Sequence, residues 1–343
     1  LSQHKVVGRE LSGRDFVVYR RAVVTGCDDN YFELTRELVS SLRNCDIDFS
    51  IIVLDAGLSA EHVAWFHSMG VSTVTPFVPD FFSKASLTRR PNLAINISKL
   101  WLDRLLPEFD LLLWIDADAW VQDVAAIERL FGAAATGTIA IVPEIGAKMT
   151  DILAVRWIMP GWMQVRSFLY KSATRARLPF SIRKRIGVKA LLNTGVFCLR
   201  RDAPHWDMFR KWQKTIIARG GVIFTQDQLA VALTVYIDGA GVTFLDNGHN
   251  YLGPWLLDEK SDRLVNLFYP HPPVGIVHLA SKEYIRHSLN NTIAVPTVGG
   301  GTAMLNLRYG GLERRMSARI RDRLKTETVP EKRERREAMV PLS

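Results

Sequence analysis

Two carboxylates two residues apart, Asp116 and Asp118, stand directly after the apolar run 111–115, with the small Ala117 between them. In an open α/β sheet, ligands bind beyond the carboxyl ends of the strands, so a pair in this position faces a binding crevice. Two carboxylates there suit a hard divalent cation, Mn²⁺ or Mg²⁺, with diphosphate oxygens completing its shell. Such an ion acts as a Lewis acid on a departing diphosphate. Asp46 and Asp48 have the same spacing and serve as an internal control. They precede the apolar run 50–54, which puts them at the opposite edge of the sheet, and they read as a solvated loop. The competing reading of Asp116 and Asp118 is capping of a helix predicted over 124–131. His278 ends the apolar run 275–278 and is a candidate third ligand; the alternative is a satisfied structural histidine.

Positioning such residues takes a regular frame. From Arg21 to Val142 short apolar runs alternate with segments of helical period, the pattern of successive βα units around a largely parallel sheet. Strands are predicted over 22–25, 50–54, 71–75, 111–115 and 139–142. Leu34, Leu38 and Leu42 form one apolar helix face, and Ser59 reads as the N-cap of a helix over 60–69. The pattern breaks from 143 to 191, where Trp157, Trp162 and the run 181–189 lack clean periodicity; this reads as an insertion or lid. Regular structure resumes with a strand at 196–199, helices at 204–219 and 227–236, and strands at 242–245 and 275–278. The glycines after Thr297 mark a linker or turn, and Leu312, Met316 and Ile320 lie at helical spacing among arginines. The expected organisation is an extension over 1–20, a main domain over 21–296 and a basic tail over 297–343.

Bulk properties set limits. With 343 residues, 48% of them hydrophobic, the chain can bury a sizeable core. Its apolar runs fall short of the ~18 residues of a membrane span, and its first residues lack the apolar stretch of a signal peptide, so the expected location is cytoplasmic. Cys27, Cys45 and Cys198 are too few and scattered for a disulfide framework or a cysteine zinc site. The net charge of +9 gathers in 175–189 and 308–336. Those stretches lack the interleaved aromatics and known modules of a nucleic-acid binder, and no nucleic-acid partner is expected. A basic tail of this kind can lie on the inner face of a membrane as a peripheral contact, and the alternative is an exposed helix docked on the same chain.

Taken in order, these segments resemble glycosyltransferase family 8, the retaining enzymes that include glycogenin and the bacterial lipooligosaccharide galactosyltransferases. The resemblance runs from about Ala22 to His278. It implies an α/β fold of the GT-A type, with a mixed, mostly parallel central sheet flanked by helices. Asp28, Asp29, Asn30 and Tyr31 after the first strand resemble the family's nucleotide-binding turn, which implies that Asp28 and Asn30 bind the uracil edge and Tyr31 stacks on the base. Lys99 stands where the family carries a basic residue that neutralises the donor diphosphate or contacts the sugar. Asn193, Thr194 and Gly195 resemble the segment at the donor sugar, where an amide both donates and accepts and glycine admits close approach. Asp227 and Gln228 resemble the Asp-Gln step beside the anomeric carbon, although Leu229 and Ala232 replace polar residues found later in that motif. His278 aligns with the family's metal histidine. The Lys-Pro-Trp element that follows in the family is missing, and Lys282 stands nearby as a candidate diphosphate contact.

The resemblance implies a metal-dependent hexosyltransferase that moves a sugar from a UDP-sugar to a glycan or lipid-linked hydroxyl acceptor with retention. Either the acceptor attacks from the leaving group's face, or Asp227 serves as a covalent nucleophile. A protein of the same fold that binds nucleotide sugars without turnover is the alternative.

Overall fold

The computed structural model describes residues 19–46, 48–145, 153–315 and 317. The apolar runs form strands close to where the sequence puts them. β1 (Arg21–Cys27) leads through a 3₁₀ turn at Asp29–Tyr31 into α1 (Phe32–Arg43), then β2 (Ser50–Asp55), α2 (Ala60–Ser68) and β3 (Ser72–Val74). Leu34, Leu38 and Leu42 are buried along α1, the stripe that a period of 3.6 residues produces. Ser59 caps α2 by accepting from the His62 amide. The chain continues through α3 (Lys84–Arg89), α4 (Leu93–Ser98), a 3₁₀ turn at Lys99–Trp101 and α5 (Leu102–Leu105) to β4 (Leu111–Ile115), β5 (Ala119–Val121), α6 (Val124–Ala135) and β6 (Ile139–Glu144).

The described part of the irregular segment 143–191 holds regular structure that its composition does not announce. β7 (Leu153–Met159) and β8 (Trp162–Ser167) form an antiparallel hairpin, followed by α7 (Phe168–Arg175) and α8 (Phe180–Ile186). The side chains of β7 are exposed or only partly buried, so no buried face imposes an apolar alternation on that strand. Then come β9 (Leu191–Arg200), α9 (His205–Ala218), α10 (Gln226–Tyr236), β10 (Val242–Phe244), β11 (Leu256–Asp258), β12 (Arg263–Val265), β13 (Ile276–His278), α11 (Glu283–His287), β14 (Ile293–Pro296) and β15 (Thr302–Leu305).

Seven strands make the central sheet in the order β10-β6-β9-β4-β1-β2-β3. β9 runs antiparallel to β4 and β6, and the remaining pairs are parallel, so the sheet is mixed and mostly parallel, with helices packed on it. Along β4 the buried side chains alternate between two cores: Leu112 and Trp114 join Phe197, Trp206 and Phe209 on one face, while Leu111, Leu113 and Ile115 join Leu38 and Leu130 on the other. A third cluster, with Trp120, Tyr251, Trp255, Leu305, Leu307 and Leu312, gathers residues from both sides of position 297. The glycine run read as a linker or turn is the turn between β14 and β15. Beyond it, Arg308 is buried and paired with Glu37 of α1 at 2.9 Å. Met316, Ile320 and the extension 1–18 lie outside the described residues. Among the described residues no helix is long and apolar enough to cross a membrane.

Candidate active site

The parallel strands β1 and β4 lie side by side, and their carboxyl ends deliver Asp28 and Asp116 to one crevice. β9, being antiparallel, brings its beginning to that same edge. Gly195 accepts a 2.7 Å bond from the Asp116 amide, and Asn193 and Thr194 follow onto the crevice wall. The short strand β5 pairs with β13 so that His278 stands opposite Ala119, next to Asp118. The 3₁₀ turn after α4 supplies Lys99, and the first turn of α10 supplies Asp227 and Gln228. The crevice encloses roughly 800 Å³.

Each metal-candidate carboxylate divides its oxygens. Asp116 Oδ1 accepts from Lys99 Nζ at 2.9 Å and from the Trp114 indole at 2.7 Å, while Oδ2 lies 3.9 Å from His278 Nε2. Asp118 Oδ2 accepts from Arg286 Nη1, while Oδ1 lies 3.2 Å from His278 Nε2. One ligand atom from each of the three residues falls within 4.8 Å of the others. Helix capping is met elsewhere: Asp123 caps α6 through the Ala125 amide. Asp46 and Asp48 are exposed, as the loop reading requires.

His278 is buried, and its Nδ1 donates to Asn250 Oδ1 at 2.7 Å. The Asn250 amide nitrogen in turn reaches the Asn193 carbonyl, which sets the amide's orientation. This leaves Nε2 facing the two carboxylates, the arrangement in which an outer-shell partner orients a ligating histidine. Gly195 clears the space beside them, since a Cβ there would meet His278 Cε1 at 2.3 Å and Asp116 Oδ2 at 2.9 Å. Two carboxylate oxygens and an imidazole nitrogen with an open side fit a divalent cation.

Electrostatics keep Asp118 and Lys99 ionised despite burial. Burial opposes the charge on Asp118, but His278 and Arg286 outweigh it and hold the carboxyl well below the ordinary range. Burial likewise works against the Lys99 ammonium, and Asp116 with Asp227 more than offsets it. Lys99 lies 3.4 Å from Asp227 Oδ2 and 4.8 Å from the centre of the Trp114 ring. Asp227 is buried too, and its Oδ2 also accepts from the Thr194 hydroxyl at 2.7 Å.

The predicted residues sort clearly. Lys99, Asp116, Asp118, Asn193, Asp227, Gln228 and His278 line the crevice with Asp28 and Tyr31. Asp28 also caps the turn that follows it, accepting from the Tyr31 amide at 3.1 Å, so one side chain shapes the turn and lines the crevice. Asn30 is exposed, and neither it nor Lys282 lines the crevice. Lys282 immediately precedes α11, and one helical turn later Arg286 faces inward instead. Asn250, Trp114, Glu144 and Arg286 escaped the sequence reading. Glu144 ends β6 and accepts from the Asn193 amide at 2.5 Å. Its place just past an apolar strand was the available signal; Asn250 and Arg286 carry none in their local sequence.

No family model matches the chain, and no curated protein matches it in sequence. Among solved structures, the chain is similar to WbbM, a bifunctional glycosyltransferase in its apo form, at 16% identity and a TM-score of 0.45, over 79% of this chain and 47% of that one. It thus spans about half of WbbM's length. It is also similar to the galactosyltransferase LgtC in complex with donor and acceptor sugar analogues, at 15% identity and a TM-score of 0.45, over 76% of this chain and 87% of that one. Mouse xyloside xylosyltransferase 1, in its apo form, matches at 13% identity and a TM-score of 0.44, over 77% of this chain and 99% of that one.

Proposed function

We propose that the protein is a GT-A type glycosyltransferase that moves a sugar, with retention, from a UDP-sugar to the hydroxyl of a glycan or lipid-linked acceptor, using Mn²⁺ or Mg²⁺. The observation that carries this reading is one crevice holding a convergent Asp116, Asp118 and His278 set beside a buried, charged Lys99 and an accessible Tyr31. When bound at the three ligands, the cation supplies Lewis acidity to the donor diphosphate. Tyr31 offers a face to the base, and Asp28 a carboxylate to its edge. Lys99 is fixed and dry, so it stabilises charge growing on the leaving group with little reorganisation. Asn193 donates and accepts at the sugar hydroxyls. Asp227 Oδ2 is committed to Thr194 and Lys99, which supports a role in positioning Lys99 and favours same-face attack over a covalent glycosyl-Asp227.

The surface supports a peripheral placement on an anionic membrane, which vesicle binding tests. Residues 152–189 contain nine Lys and Arg and no Asp or Glu. The hairpin exposes Trp157, Ile158 and Met159, and α8 exposes Phe180. Basic groups next to exposed apolar ones are what an anionic bilayer surface attracts.

The central test is calorimetric titration with UDP, with and without Mn²⁺, followed by incubation with a panel of UDP-sugars. Metal-dependent binding with slow UDP release from one donor is expected. In the Asp116→Asn, Asp118→Asn double variant the metal dependence should vanish while the fold persists; unaltered Mn²⁺-dependent affinity there would sink the assignment. Binding without turnover of any donor, even with acceptors present, would favour a nucleotide-sugar-binding protein.

A further inference from the structure

The proposed site has an aromatic platform, Tyr31, at one end and the cation ligands at the other. A nucleoside diphosphate spanning the two must lay its phosphates between them. Arg286 occupies that interval. It lines the crevice, donates from Nη1 to Asp118 Oδ2, and sets its guanidinium 5.8 Å from the centre of the Tyr31 ring.

The other edge of this guanidinium is incompletely used. Nε is buried and has no hydrogen-bond partner among the described residues. Nη2 is held by Glu283, whose side chain is 85% exposed. Nε and Nη2 form one edge of the planar fork, the geometry that matches two oxygens of a carboxylate or phosphate. An exposed carboxylate on a surface ion pair is a weak holder and is readily exchanged for another anion. The backbone beneath is anchored, because the Arg286 carbonyl accepts from Arg308, which is itself buried against Glu37. The helix is therefore held while the fork's outer edge remains open to exchange.

We propose that Arg286 binds the diphosphate of the nucleotide donor through its Nε and Nη2 edge, while Nη1 stays on Asp118. The inference rests on the nucleotide-sugar reading of the site. It replaces Lys282 as the diphosphate cation and makes one side chain the link between the cation ligand and the phosphate. Glu283 is then the anion that the diphosphate displaces.

The test uses the full chain with saturating Mn²⁺ and compares UDP, measured by calorimetry, with uridine, measured by ligand-observed NMR. Arg286→Gln should weaken UDP by about tenfold or more, the worth of a charge-assisted hydrogen bond, and leave uridine unchanged. Arg286→Lys should recover part of the loss, and Lys282→Ala should match wild type. Glu283→Gln, at an exposed position, should hold or tighten UDP. Equal losses for UDP and uridine in Arg286→Gln, or no loss for either, would overturn the proposal. Should Arg286→Gln not fold, weaker UDP binding in Glu283→Gln would overturn it alone. Wild type that binds uridine and UDP equally defeats the Arg286 role and spares the base site; wild type that binds neither defeats the nucleotide-sugar reading itself.

Discussion

At the residue scale, the division of labour within Asp116 and Asp118 makes their neighbours as consequential as the carboxylates themselves. Asn250 touches neither carboxylate, yet it fixes which nitrogen of His278 carries the proton. Asn250→Ala should weaken Mn²⁺ affinity on the order of 10–100-fold, as loss of an outer-shell partner does. Titration of Mn²⁺ in the presence of UDP checks this, and an unchanged affinity would remove Asn250 from the role. The sequence makes Asp116 and Asp118 readable because a fully apolar strand immediately precedes them and physics dictates what lies past such a strand. It makes His278 readable for the same reason. Asn250 and Arg286 gain their roles from contacts 28 and 168 residues away along the chain, and no local period or spacing encodes those.

At the element scale, the parallel strands β1, β2, β4 and β6 were readable because burial on both faces writes them as continuous apolar runs. β5 and β13, three residues each, fall below the length at which any period is visible, although their pairing is what brings His278 to Asp118. β15 and the segment after it read as a tail because glycines and arginines mask the buried Leu305, Leu307 and Leu312. That segment is fastened to α1 by Arg308 and Glu37, whose side chains are 5% and 10% exposed. Removing one member of such a pair leaves a stranded charge, so Arg308→Ala should destabilise the fold by about 3–5 kcal/mol. The double replacement Glu37→Leu, Arg308→Met should recover most of that loss. Denaturant unfolding of the three proteins decides it; a cost near zero for Arg308→Ala would mean that the segment is not fastened through this pair.

At the scale of the whole molecule, charge is distributed by segment. The run 152–189 alone carries nine cations and no carboxylate, against a net +9 for the entire chain. On vesicles containing anionic lipid, co-sedimentation should exceed that on neutral vesicles and fall steeply with salt, since each surface cation contributes about 1 kcal/mol. Replacing Trp157 and Ile158 by Ser should lower binding further at equal charge. Indifference to lipid charge would confine the basic face to the acceptor or to solvent. The same molecule-wide view bears on the pairing of β5 with β13. Asp116 and Asp118 emerge from the ribosome long before His278, and the edge of β5 waits for a partner that follows much later in the chain. A chain made only as far as β12 consequently has no complete ligand set and no Arg286 beside it. On the proposed function, the growing polypeptide would be unable to spend nucleotide sugar before β13 and α11 exist, and the capacity to split the donor would arrive only with them.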